Sequence, residues 1–174
     1  MRQRGYQLEP LRPEDIEPIR VWRNAQQDVL RQTEFLTEEA QKTYFTTFVW
    51  PYMEAKNPPQ VLYSFLHKKK CIGYGGLTHI DWKAKRAELS FLLDPERGAD
   101  SDIYRKDFLC FLAILCKEAR EIWGVRQIFA ETFLFRQGHI QVLEEFGFQR
   151  IDHLHQRAYK RGGWTDALLH EIEI

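Results

Sequence analysis

The chain is predicted to fold as one α+β domain spanning residues 1–174. Its sheet should be mixed and mostly antiparallel, with six to seven strands and about four flanking helices. Three observations predict this. Period-two apolar runs are interspersed with period-3.6 stretches in the order β-α-α-β-β-β-α-β-α-β-β. The 44% hydrophobic content, spread over 174 residues, supplies one sizeable core. No internal repeat, low-complexity segment or linker divides the chain.

Residues 6–11 read as a first strand, with Tyr6 and Leu8 on one face. Pro13 suits a first helical position, and Glu14 and Asp15 suit a first turn. Ile16, Ile19 and Trp22 continue at helical spacing, with a kink or restart expected at Pro18. Residues 26–36 read as loop. Thr37 is the expected N-cap of a second helix carrying Tyr44, Phe45, Phe48, Val49 and Tyr52, and Glu38 and Glu39 favour its first turn. Pro51 and Asn57-Pro-Pro59 close that helix.

The strand at 61–66 and the lysine turn at 68–70 lead into the stretch that organises the chain, residues 71–123. Residues 72–80 form an apolar, glycine-dotted strand, and 81–85 a polar turn. Residues 86–93 form the next strand, which loses its alternation after Ser90. Residues 95–102 consist of turn formers. A helix follows, with Phe108, Leu112, Leu115, Ala119 and Ile122 along one stripe. A strand feeding a short loop and a helix amino terminus makes an anion site, because the first helical N–H groups lack partners. Beyond it, 127–134 read as strand and 138–146 as a short helix. Gly147 fits a left-handed cap and Phe148 the apolar residue just past it. Residues 150–160 and 165–174 read as strands around a turn at 161–164.

Charge and composition exclude several classes. Lys+Arg and Asp+Glu number 25 each, so no overall charge steers the protein to nucleic acid or an anionic membrane. No apolar run approaches the roughly 18 residues of a membrane span, and the first residues contain no apolar signal region. Cys71, Cys110 and Cys116 form no CxxC pair and read as reduced, mostly buried thiols in a cytoplasmic protein. No GxxxxGK[ST], GxGxxG or GxSxG motif occurs. His153 and His155 share a strand face but lack a third ligand at metal spacing, so no metal is expected.

The chain resembles the GNAT N-acetyltransferase superfamily over essentially its whole length, and three stretches carry the resemblance. Arg86-Ala-Glu-Leu-Ser-Phe-Leu-Leu-Asp-Pro-Glu-Arg-Gly98 is similar to the family's fourth strand and acyl-CoA loop. His139-Ile-Gln-Val-Leu-Glu-Glu-Phe-Gly-Phe148 is similar to its fourth helix. Gly163-Trp-Thr-Asp-Ala-Leu-Leu-His170 is similar to the closing strand of members that acetylate nucleotide sugars or protein amino termini. Val21-Trp-Arg-Asn24, Leu30-Arg-Gln32 and Leu36-Thr-Glu-Glu39 resemble amino-sugar N-acetyltransferases.

The resemblance implies a sheet splayed between the fourth and fifth strands, with direct transfer of acetyl from acetyl-CoA to a primary amine and no acyl-enzyme. The expected acceptor is a nucleotide-linked amino sugar. Alternatives are a protein amino terminus, as in ribosomal-protein acetyltransferases, and a member that binds acyl-CoA or a partner protein without turnover. A homodimer is compatible with this reading. The attacking amine must be neutral, so a base must take its proton, and an acid can protonate the leaving thiolate.

Glu88, on the fourth strand among apolar neighbours, is the first base candidate, with Glu131 a rival. His139 at a helix start suits a neutral base, and Tyr159 a donor to the thiolate. The resemblance places pantetheine along Phe91, Leu92 and Leu93, and pyrophosphate over Arg97, Gly98, Ala99, Asp100 and Ser101. Tyr104, Arg136, His139 and Ile140 would line the cofactor. Trp22, Arg23 and Asn24 are acceptor-side candidates, since arginine forks phosphate and an aromatic stacks on a sugar or base. His79 and Asp81 end the third strand beside the expected acceptor cleft.

Two features depart from the family. Leu143 stands where many members carry the tyrosine that protonates the thiolate. Asp100 and Asp102 stand where the pyrophosphate loop usually has small residues. Each adds about 1 kcal/mol of repulsion beside a diphosphate, unless it caps the helix instead.

Overall fold

The computed structural model describes residues 5–174. Residues 1–4, part of the amino-terminal stretch read above, lie outside the described residues. Among the described residues, seven strands form one sheet in the order β1-β2-β3-β4-β5-β7-β6. They are β1 (Tyr6–Pro10), β2 (Val61–His67), β3 (Lys70–Asp81), β4 (Arg86–Leu93), β5 (Gln127–Phe133), β6 (Gln149–Lys160) and β7 (Gly163–Glu173). The helices are α1 (Ile16–Ala25), α2 (Glu38–Tyr44), α3 (Pro95–Gly98), α4 (Ser101–Glu121) and α5 (Gln137–Phe146). Among the described residues only β4 and β5 pair in parallel; the other five pairings are antiparallel.

The local signals explain most boundaries. Thr37 Oγ1 accepts from Ala40 N at 3.1 Å and starts α2. Gly147, at φ 120°, lets its own N–H and that of Phe148 return to the Leu143 carbonyl, and so ends α5. Pro18 does not kink α1. The helix begins at Ile16, so Pro18 falls in the first turn, where a missing N–H leaves no bond unmade. After α2 the chain widens into a π turn over Phe45–Val49 and tightens into a 3-10 turn at Trp50–Tyr52. Residues 95–102 are more ordered than a loop, because Asp94 caps a helical turn at Pro95–Gly98. Ile122 lies beyond the carboxyl end of α4 and is exposed, so the buried stripe stops at Ala119.

The sheet carries a core on each face. Helices α4 and α5 cover one face: Phe108, Phe111, Leu112 and Leu115 pack with Phe65, Phe91, Leu93 and Ile128. On the other face, Ile19 of α1 with Phe45 and Val49 covers Leu62, Tyr74 and Leu92. Alternation along β4 therefore sends Phe91 and Leu93 one way and Leu92 the other.

Close backbone approach explains the glycines of β3. A Cβ at Gly76, at φ 152°, would meet the Val61 carbonyl oxygen at 2.0 Å. Gly76→Ala should lower stability by about 2 kcal/mol or more, through overpacking and backbone strain together. Urea unfolding should show this as a fall in the midpoint at unchanged slope.

Candidate active site

Pairing between β4 and β5 stops at Glu88↔Phe129. From Leu89 and Ala130 onward the strands separate, two residues earlier than the loss of alternation in β4 suggests. Backbone groups at such an edge must find other partners or face a cavity. One has found a partner: Gln26 Nε2 donates to the Leu93 carbonyl at 2.9 Å.

Three adjoining cavities occupy the gap. A basin of about 680 Å³ lies between the amino-terminal turns of α4 and α5. A throat of about 300 Å³ shares Arg136 and His139 with it and reaches Glu88, Ser90 and Phe91. A third pocket of about 270 Å³ continues past Arg23, Thr78 and Ser90 to Tyr44, Phe45 and Tyr74.

His139 stands between basin and throat. Its ring stacks on Phe108 at 4.5 Å between centroids, and its Nδ1 lies 2.7 Å from the Tyr104 hydroxyl. Burial, with Arg136 and His170 nearby, holds the imidazole well below the usual histidine range, so it is neutral near pH 7. Burial also raises the Tyr104 phenol, which keeps its proton. Arg136 Nη2, which can only donate, lies 3.4 Å from the same Nδ1. Nδ1 is therefore the acceptor, and the ring hydrogen sits on Nε2.

Glu88 is the buried carboxylate of the throat, at 6% exposure. Arg31 from the α1–α2 loop binds it through both terminal guanidinium nitrogens. His79 Nδ1 lies 2.7 Å from its Oε2. A register shift between Thr78 and Asp81, with His79 at φ 48°, turns that imidazole toward Glu88. Arg31 also lies 3.5 Å from Glu131 on β5, and Arg157 of β6 grips Glu131 through two bonds of 2.7 and 3.1 Å. An ionic chain of Glu88, Arg31, Glu131 and Arg157 thus spans the opening between the parted strands. Arg23 bonds Tyr74 Oη at 2.5 Å and Gln32 Oε1 at 3.1 Å. Among the described residues, neither Arg23 nor Arg136 has a carboxylate partner.

Several residues singled out from the sequence do other work. Arg97 is not at the basin. Its guanidinium makes bonds of 2.8 and 3.1 Å to the fully buried Asp107, which also accepts from Tyr6 Oη. Asp100 caps α4, accepting from Asp102 N and Ile103 N, so the carboxylate of Asp100 occupies part of the anion site expected at this helix start. Gly98, Ala99, Ser101 and Asp102 do line the basin, and Arg105 closes part of its wall by pairing with Glu145 of α5.

Ile140 points into the core at 4% exposure, and the Leu92 and Leu93 side chains belong to the two cores. Phe91 borders the throat. Asn24 clamps the following loop, accepting from Leu36 N and donating to Leu36 O. Trp22 packs on the second core. The Asp81 carboxylate caps its own turn through Lys83 N and Ala84 N. Tyr159 does not face the core. It is 63% exposed at the β6–β7 hairpin, where its hydroxyl donates to the Gly162 carbonyl.

Sequence reasoning gave Arg31 and Gln26 no role. Both lie in or beside an aperiodic loop, and only the Leu30-Arg-Gln32 motif hinted at one of them. Asp166 supplies the third donor that the spacing of His153 and His155 did not reveal. Burial pushes the Cys71 and Cys116 thiols up to about 12, so neither offers a thiolate.

Among known proteins, a family model described as an acetyltransferase (GNAT) domain matches residues 8–169. No curated protein matches the sequence. The crystal structure of spermidine N-acetyltransferase from Vibrio cholerae in complex with CoA and spermine shares the fold. Its TM-score is 0.82 at 16% identity, covering 97% of this chain and 95% of that one. Spermidine/spermine N-acetyltransferase from the same organism, in complex with manganese ions, gives 0.77 at 16% identity, covering 98% and 94%.

The buried, neutral His139 sets a pH dependence. Its folded pKa lies below its unfolded value, so the unfolded chain binds more protons once pH falls below about 6.5. Stability should therefore fall on acidification, by up to about 1.4 kcal/mol per pH unit from this group alone. Denaturation at stepped pH should show a shallower acid limb for His139→Gln than for the unmodified chain.

Proposed function

The chain belongs to the GNAT acetyltransferase family, and from that premise we propose that it acetylates the primary amine of a small acceptor bearing negative charge. A nucleotide-linked amino sugar is the class that fits best. The observation that carries this reading is the pair of arginines, Arg23 and Arg136, that line the cleft without carboxylate partners among the described residues. Its two carboxylates, Glu88 and Glu131, are already paired with cations. A polycation such as spermidine, the amine named for the Vibrio cholerae structures, would meet guanidinium groups there. A phosphate-bearing acceptor would find bidentate partners instead. Tyr44, Phe45 and Tyr74 in the adjoining pocket offer faces for a sugar or base.

The co-substrate's fit rests on the parted edge. Gln26 holds the Leu93 carbonyl with an amide N–H, the group that a pantetheine amide would present there. The basin between α4 and α5, with Gly98, Ala99, Ser101 and Arg136 on its walls, suits the diphosphate end. Acetyl-CoA supplies the thioester that the amine attacks. Glu88 takes the amine's proton once Arg31 yields one carboxylate oxygen, directly or through one water. His139, on the wall shared by basin and throat, passes its Nε2 proton to the departing sulfur as the Tyr104 hydroxyl passes its own to Nδ1, so the imidazole stays neutral and the charge ends on the Tyr104 oxygen beside Arg136. That pair does the work of the tyrosine that Leu143 replaces.

Release of free thiol from acetyl-CoA, measured against nucleotide 4-amino sugars, spermidine and peptide amines, tests the acceptor. The nucleotide sugars should turn over best, and preference for spermidine would overturn the reading. Arg23→Ala should raise KM for the preferred acceptor by about ten- to a hundredfold, the cost of a charge-assisted bond, with little change in KM for acetyl-CoA.

Glu88→Gln keeps the shape of the throat and removes the base. Its kcat should fall by about 10²- to 10⁴-fold, with acetyl-CoA binding retained in a thermal shift. Unchanged turnover would remove Glu88 from the chemistry.

A further inference from the structure

We propose a divalent-metal site on the solvent side of the β6–β7 ribbon, formed by His153, His155 and Asp166. The three donor atoms lie within 4.8 Å of one another. His153 Nε2 is 2.8 Å and His155 Nδ1 3.2 Å from the same carboxylate oxygen, Asp166 Oδ2. The two imidazoles stack at 4.4 Å between centroids with 25° between their planes.

The backbone builds this convergence. Leu154 pairs with Ala167 and Ala158 with Thr165, so three residues of β6, His155 to Arg157, oppose Asp166 alone. This bulge curls β6 around the carboxylate. Gln156, at φ 46°, takes a left-handed conformation that a residue with a side chain seldom adopts, and its N–H donates to Asp166 Oδ1 at 2.9 Å. Oδ1 is thereby fixed and Oδ2 is turned to the two rings. Continuing the regular register past Leu154 and Ala167 would set Asp166 opposite His155, and the bulge adds the Gln156 N–H that orients its carboxylate.

Two imidazoles and one carboxylate suit a borderline first-row cation such as Zn²⁺, Ni²⁺ or Co²⁺, with water completing the shell. Bonds of about 2.0–2.1 Å to nitrogen and oxygen place tetrahedral ligand atoms about 3.3 Å apart. The two nitrogen–oxygen distances present here are within about half an ångström of that value, and both rings are exposed enough to rotate. Arg157, the nearest cation in sequence, is turned away and committed to Glu131. The site stands apart from the cleft, but its ribbon ends in the turn that holds the α1–α2 loop. Lys160 Nζ donates to the Gln27 and Gln32 carbonyls, and Arg161 pairs with Asp28.

Calorimetric titration of the tag-free full chain with Zn²⁺ at pH 7.5 tests the proposal. One equivalent should bind, and His155→Asn and Asp166→Asn should each weaken binding at least tenfold. His155 is exposed and its ring has no role in the core, so folding of that variant is not at issue. Co²⁺ should give visible absorption without the thiolate bands that Cys71, Cys110 or Cys116 would produce. Absence of binding, binding unaffected in both variants, or a thiolate spectrum would each overturn the site.

Discussion

The molecule is organised around strand pairing that stops. β4 and β5 share three residue pairs and then separate, although both strands continue. A sheet that loses a ladder leaves backbone donors and acceptors that cost free energy unless something meets them. Here the debt falls on polar side chains and on cavity space. Gln26 reaches the Leu93 carbonyl, and the remaining opening becomes the throat. The helices respond to the same parting: α4 and α5 bring their amino termini to it, so that His139, Tyr104 and Arg136 converge there.

Charge then decides what the opening can hold. Two buried or nearly buried carboxylates, one from each parted strand, would repel across the gap if left alone. Arg31 sits between them and contacts both, which bridges the parted strands across the opening. The guanidinium suits this position because its planar fork can face two carboxylates at once, which a lysine ammonium does less well. Glu88 consequently rests in a paired state. Its partner Arg31 is half-exposed on a loop.

The architecture was largely legible in the sequence, and the site less so. Apolar runs and the turn residues between them located the strands, and Thr37, Gly147 and Phe148 marked helix ends through local chemistry alone. Such signals lie within a few residues of what they specify. The corrections arose where the partner is distant. Arg97 looked like a phosphate ligand until Asp107, one helical stretch away, claimed it, and Tyr6 joined them across the sheet. Asn24 and Asp81 carry groups suited to ligand contact, yet each satisfies nearby backbone, the commoner fate of such side chains. Asp166 meets His153 and His155 from the neighbouring strand, and the pairing register that brings it there is not carried by the spacing of the two histidines.

The α1–α2 loop shapes the cleft although it carries no periodic signal. It has no apolar period and little secondary structure, yet it supplies Arg31 and borders all three cavities of the gap. Its position is fixed from three directions: Asn24 clamps Leu36, Lys160 and Arg161 hold Gln27, Gln32 and Asp28 from the far hairpin, and Arg31 anchors on Glu88. Each contact is polar and lies near solvent, so each contributes modestly alone, and the loop's order comes from their combination. A change at Lys160, far along the chain, therefore acts on the same cleft as a change at Arg31. The shape of the cleft therefore rests on the joint between loop and hairpin, and neither segment sets it alone.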